Sequence, residues 1–173
     1  MKITFHVPTV LEDVSRALLV ALVALTPDLA AEVRVIRLAA RRWGLCDRFY
    51  ADRATVFDTP AFRSGLAQLG VQRILFRYRN TETNGDIEAY YCVLAAWFTS
   101  RLRRQRVVDL QRLQQLLDAS VGTLNQGHRH RGFASTPREV LADRVLSRQV
   151  PSARIDDSFL QERLLKAPPR PAR

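Results

Sequence analysis

The chain has 173 residues, 47% of them hydrophobic and 25% charged, proportions that exclude a disordered polypeptide and leave enough apolar side chains for one domain of ordinary size. A net charge of +10 and a pI near 10.9 favour a polyanionic partner, most economically nucleic acid, because basic side chains release condensed counterions when they meet phosphates. The two cysteines, Cys46 and Cys92, form no C-x-x-C pair; this excludes a four-cysteine zinc site and reads as reduced thiols of a cytoplasmic protein.

Ile3 to Val10 and Ala17 to Leu25 are mostly β-branched or apolar and flank the polar turn Glu12-Asp13-Val14-Ser15-Arg16, which predicts two adjacent antiparallel strands. The run Ala17 to Leu25 is too short to span a bilayer, and Glu12, Asp13 and Arg16 stand where a signal would need a basic leader, so it reads as a buried strand. Thr26-Pro27-Asp28 supplies a cap and an N-terminal proline for a helix through Ala31, Val35, Leu38 and Ala39 to Trp43, with Gly44 as its stop. Arg48 to Asp52 returns as a strand.

Thr59-Pro60 opens a second helix, whose apolar face is Phe62, Leu66 and Leu69 and which Gly70 closes; Val71 to Phe76 is again a strand. Arg77 to Asn84 is polar and basic, with Tyr78 as its single apolar anchor, and is expected to be a mobile loop. The helix opening near Asn84 carries Ile87, Tyr91, Leu94, Phe98 and Leu102 on a core-facing stripe, with Glu88 at the border of core and solvent. It ends in Arg101, Arg103, Arg104 and Arg106, cations that a helix C-terminus favours and that are also available to phosphates. Leu110, Leu113, Leu116, Leu117 and Val121 make another amphipathic helix. An Arg- and His-rich loop from Asn125 to Arg131 leads through Ser135-Thr136-Pro137 to a short helix with Val140, Leu141 and Val145. The expected organisation is a core over residues 1–125, a basic loop and short helix over 126–150, and a tail or linker stump over 151–173. Strands first, then strand and helix alternating, predict an α/β layered domain. The chain contains no glycine-rich phosphate loop, no G-x-S-x-G and no HExxH, so a nucleotide-binding or hydrolase reading has no motif behind it.

Thirty-five residues, 53 to 87, separate the carboxylates of Asp52 and Glu88. An aspartate ending a central strand and a glutamate on a helix that returns beside it can serve the same magnesium ions as hard oxygen ligands. Each also has an ordinary reading, Asp52 as a turn former and Glu88 as a first-turn acid favoured by the helix dipole.

Tyr50-Ala51-Asp52-Arg53-Ala54-Thr55-Val56-Phe57, followed by a helix ending in Leu69-Gly70-Val71, resembles the segment bearing the second catalytic aspartate of transposases and retroviral-type integrases. Val10 to Arg16 resembles that superfamily's second strand and its Asp-x-Ser-Arg turn, and Thr83-Asn84-Gly85-Asp86-Ile87-Glu88 resembles its Asn-Gly-x-x-Glu segment. Asn125, His130, Arg131-Gly132-Phe133 and Thr136-Pro137 are similar to the pattern that follows the core in bacterial insertion-sequence transposases. The resemblance covers most of the chain. It implies an RNase H-like fold with a mixed sheet and flanking helices, and metal-dependent DNA strand cleavage and transfer with Asp52 and Glu88 as catalytic residues and ligands of Mg2+ or Mn2+. The partner is then DNA, with contacts expected from Arg77, Arg79, Asn84, Arg101, Arg104, Arg129, His130 and Arg131, together with self-association or an intact transposase; no membrane is involved.

The chain departs from that pattern in three places. Met1 to Val10 contains no Asp or Glu, although the family's first aspartate lies on a first strand upstream of the segment resembling Val10 to Arg16. Arg53-Ala54 follows Asp52 where the family usually has Asn-Gly, and Ile155 to Leu160 resembles the approach to a C-terminal β-barrel before the chain stops. The expectation is a core truncated at both ends, without its first strand and inactive; the alternative is a non-catalytic DNA-binding or transposase-interacting fragment. Glu12 and Asp13 could stand in for the third ligand, but their turn is expected to lie away from the strand end bearing Asp52.

Overall fold

The computed structural model describes residues 4–51, 57–75, 81–105, 109–127, 134–142 and 155, with the backbone alone for Ala61 and for 81–87. In chain order its elements are β1 (Thr9–Leu11), β2 (Leu18–Ala21), α1 (Leu29–Trp43), β3 (Arg48–Ala51), α2 (Pro60–Gln68), β4 (Gln72–Leu75), α3 (Thr81–Arg104), α4 (Leu110–Gly127) and α5 (Pro137–Ala142). They fall into two compact units, Met1–Pro27 with Tyr78–Leu146 and Asp28–Arg77 with Ser147–Arg173. The mixed sheet expected from the sequence is seen as two two-stranded ladders among the described residues, β1 with β2 antiparallel and β3 with β4 parallel.

In the first unit, β1 and β2 pair Thr9 with Ala21 and Val10 with Val20, with a register irregularity after Val10. His6 bridges Ala24 beyond the ladder, so both strands are shorter than their apolar runs. The turn between them closes on itself. The Glu12 carboxylate accepts the N–H groups of Val14 and Ser15 at 3.2 and 2.6 Å, Ser15 is fully buried, and Arg16 takes a left-handed φ of 58°. Leu18 and Ala21 of β2 pack with Tyr90, Leu94 and Phe98 of α3 and with Leu113, Leu116, Leu117 and Leu124 of α4. Phe5 adds an edge-to-face contact with Phe98 at 5.8 Å between centroids, a geometry that aromatic quadrupoles favour.

Two expectations for α3 are corrected. The helix starts at Thr81, so Thr81 to Asn84 are helical and only the earlier part of the expected loop lies outside the described residues. The buried stripe runs through Tyr90 rather than Tyr91, which is 42% exposed; Tyr90, Leu94 and Phe98 follow each other at four-residue spacing along one face, while the Tyr91 hydroxyl reaches Thr9 at the rim. Helix α4 likewise continues to Gly127, taking in Asn125, which the sequence placed in a loop.

In the second unit, Asp28 caps α1 through Ala31 N–H at 2.9 Å. Pro27 therefore precedes the cap instead of opening the helix. Val33, Val35, Ile36, Ala39 and Ala40 are its buried face, and Gly44 closes it at φ 86°, as read from the sequence. Thr59 caps α2, with Pro60 at its first position. Gly70 turns the chain at φ 69°, and Val71 N–H donates to the Leu66 carbonyl at 2.8 Å, bringing β4 alongside β3. Phe49, Phe57 and Phe62 form a ring triad with centroid separations of 5.4 to 6.1 Å. Ile155 is fully buried.

Candidate metal and nucleic-acid site

Strand β3 ends on Ala51, 5% exposed, immediately before Asp52, which lies outside the described residues. The chain resumes at Phe57-Asp58, where Arg73 Nη1 of the second unit's β4 donates to the Phe57 carbonyl and to Asp58 Oδ1, both at 2.8 Å. Both ends of the segment holding Asp52 are thus fixed to the parallel ladder.

Glu88 is exposed on α3 and forms no ion pair among the described residues. Because α3 begins at Thr81, Glu88 is about two turns inside the helix, beyond the first turn over which the dipole acts on a side chain. The dipole reading of this glutamate therefore falls away. Tyr91, three residues on, shares a hydrogen bond with Thr9 of β1 at 2.6 Å. Tyr90 is buried beneath the same turn; burial pushes its phenol up, opposed more weakly by the guanidinium of Arg16.

The two alternative third ligands are engaged elsewhere. Glu12 holds the two turn N–H groups, and Asp13 pairs with Arg16 at 2.6 Å. Among the described residues no three His, Cys, Asp or Glu side chains form a metal-binding group. Glu88 is a hard oxygen donor open to solvent and fits magnesium or manganese as one ligand.

Of the expected nucleic-acid contacts, Arg77, Arg79, Arg129, His130 and Arg131 lie outside the described residues, and Asn84 is known there by its helical backbone. Arg104 is exposed at the end of α3. Arg101 instead turns onto α4, where Nη2 donates to Thr123 Oγ1 at 2.6 Å and lies 3.5 Å from the Ala119 carbonyl. Arg112 of α4 donates to Gln105 and Gln115.

Two amides of α4 serve the outer edge of β2. Asn125 accepts from Leu18 N–H and donates to the Leu18 carbonyl, both at 3.0 Å; Gln114 accepts from Val23 N–H at 2.8 Å and donates to the Ala21 carbonyl at 2.9 Å. They replace a neighbouring strand and close an edge that would otherwise expose its backbone. Asn125 was legible as part of a family-like pattern. Gln114 was not, its one signal being an amide set among leucines on the inner side of an amphipathic helix. Thr136 and Glu139 form a reciprocal capping box on α5, the short helix expected after Thr136-Pro137.

No protein-family model matches the sequence, and no curated protein matches it. The fold is similar to that of solved structures. The catalytic core domain of BIV integrase superposes with a TM-score of 0.65 over 80% of this chain and 91% of its own, at 14% identity. The HTLV-2 integrase catalytic core domain, solved in complex with magnesium, gives 0.60 over 79% and 92%, at 11% identity. A chain of the simian T-cell lymphotropic virus intasome, bound to PP2A regulatory subunit B56 gamma, gives 0.67 at 11% identity; 85% of this chain matches 55% of that one. The fold is that of retroviral integrase catalytic cores.

Proposed function

We propose that this chain is an integrase- or transposase-type catalytic core that acts on DNA, with Asp52 and Glu88 as two ligands of a magnesium or manganese site. The observation that carries the reading is the exposed Glu88 inside α3 of an integrase-core fold, on a segment whose Asn-Gly-x-x-Glu sequence resembles that family's. The pairing with Asp52 rests on the order and spacing of the two segments in the sequence. Bound between such carboxylates, divalent ions supply activation of water or a 3′-hydroxyl and stabilisation of the leaving oxygen in displacement at phosphorus. The chain's own part is to hold the two carboxylates, to fix the turn of α3 bearing Glu88 through Tyr91 and Thr9, and to neutralise phosphates with its arginines.

Asp52 and Glu88 would be two of the three carboxylates of such a site. Self-association or assembly with an intact transposase, in the cytoplasm, is the setting in which it would act. The second reading, a DNA-binding fragment without chemistry, is favoured by the net charge of +10, which draws the chain to a polyanion without any metal. The deciding experiment incubates the purified chain with end-labelled DNA and Mg2+ or Mn2+. Nicked or joined products that vanish in Asp52→Asn and Glu88→Gln support the catalytic reading. Salt-dependent binding indifferent to metal and to both substitutions supports the second, and failure to bind DNA removes both.

A further inference from the structure

We propose that the outer backbone edge of Phe5 to Leu11, the segment that contains β1, is an interaction surface for a second copy of this chain, which joins it as an antiparallel strand. The proposal is independent of the metal reading and gives the self-association proposed above a surface. In an antiparallel ladder successive residues turn their backbone groups alternately toward and away from the partner strand. His6 exchanges bonds with Ala24 at 2.7 and 2.9 Å, the Pro8 carbonyl accepts from Leu22 N–H at 3.0 Å, and Glu12 N–H reaches the Ala17 carbonyl at 2.9 Å. These residues therefore face β2, and the alternation survives the irregularity after Val10. Phe5, Val7, Thr9 and Leu11 turn their N–H and C=O groups the other way. At the opposite edge of the ladder the outward groups of Leu18, Ala21 and Val23 are met by Asn125 and Gln114. At the edge of Phe5 to Leu11 no such bond is made among the described residues.

Proteins blunt an open edge with charged side chains or with proline. From Ile3 to Leu11 there is no Asp, Glu, Lys or Arg. Pro8 stands at an inward position, where its missing N–H is lost to the ladder with β2 and not to the outer edge. Charge then selects the occupant. Two molecules of net charge +10 repel each other, and along this stretch they can meet without like charges opposed. A second copy also brings the same unmet groups. With Val7 opposite the partner's Thr9 and Phe5 opposite the partner's Leu11, a two-fold axis beside Pro8 relates the strands, and Pro8 falls where no N–H is called for. Such a seam closes about eight backbone hydrogen bonds. The bond between Thr9 and Tyr91 at its rim is exposed, so the edge stands beside solvent.

The test uses the full chain without DNA, so its outcome leaves the DNA reading where it stands. Sedimentation from micromolar to sub-millimolar concentration is expected to show an equilibrium between monomer and dimer that goes no further. Amide hydrogen exchange is expected to slow with concentration at Phe5, Val7 and Thr9, while His6, bonded to Ala24 within the chain, exchanges slowly throughout. Val7→Pro deletes an outward donor and no bond to β2. It is expected to weaken dimerisation at least about tenfold relative to Val7→Ala, which keeps the N–H; the exchange result stands whether or not Val7→Pro folds. A monomer at every concentration, growth past the dimer, or a dimer whose Phe5 and Val7 amides exchange as in the monomer would overturn the proposal. So would a protected Val7 amide in the dilute monomer, which would put a segment of the same chain on the edge.

Discussion

Tyr91 Oη and Thr9 Oγ1 lie 2.6 Å apart, so the helix bearing Glu88 is tied to β1 three residues beyond the carboxylate. The bond is solvent-exposed, and its net worth is at the low end for a hydrogen bond, about 0.5–1 kcal/mol. Thr9→Val and Tyr91→Phe, singly and together in urea denaturation, are expected to show a coupling of that size. Zero coupling would mean that the contact does not hold the helix.

The amide of Asn125 stands in for a strand beside Leu18. Its removal leaves a part-buried N–H and C=O without partners, at about 1–3 kcal/mol for each group left unsatisfied. Asn125→Ala is therefore expected to lower stability by about 2 kcal/mol or more, about 4–8 °C in melting temperature for a chain of this size. The exposed neighbour, Gln126→Ala, is expected to change it by less than about 0.5 kcal/mol. Scanning calorimetry of the two variants checks the contrast, and equal effects would remove the strand-edge role.

Tyr90 gives the stability a pH dependence of known sign. Its folded pKa is raised, by burial first and against the weaker pull of Arg16. Below about pH 10 the phenol is protonated in both states and contributes nothing to the pH dependence. Above that, the unfolded chain releases the proton more readily than the folded one, so stability falls as pH rises through the raised value. Tyr90→Phe is expected to flatten this alkaline fall in denaturant midpoints; an unchanged slope would place the titration elsewhere.

The elements with a cap, a stop or an apolar period were legible in the residues. Gly44 and Gly70 end their helices at positive φ, Thr59-Pro60 opens α2, and Leu113, Leu116 and Leu117 of α4 are buried where their spacing puts them, whereas Leu110, in the first turn of the helix, is exposed. The first turn of α3 was not legible, because Thr81-Glu82-Thr83-Asn84 has no apolar residue to reveal a period. The choice between Tyr90 and Tyr91 was also hidden, since neighbouring aromatics both lie near the same stripe and a long-range partner, Thr9, decides which one faces out. Arg101 shows the same limit. Arg101, Arg103 and Arg104 look alike in sequence, and the position of Thr123 on α4 distinguishes Arg101, which turns inward. Of the candidate site, Glu88 was named from its sequence context, and its solvent-open position two turns into α3 emerged from the fold.

If Asp52 and Glu88 serve one metal site, as proposed, Mn2+ binding followed by electron paramagnetic resonance registers the loss of either carboxylate. The wild-type chain is predicted to take up Mn2+, and Asp52→Asn and Glu88→Gln are each predicted to abolish the uptake while Asp47→Asn, at an exposed carboxylate of the second unit, retains it. Undiminished Mn2+ binding in both Asp52→Asn and Glu88→Gln would contradict the account.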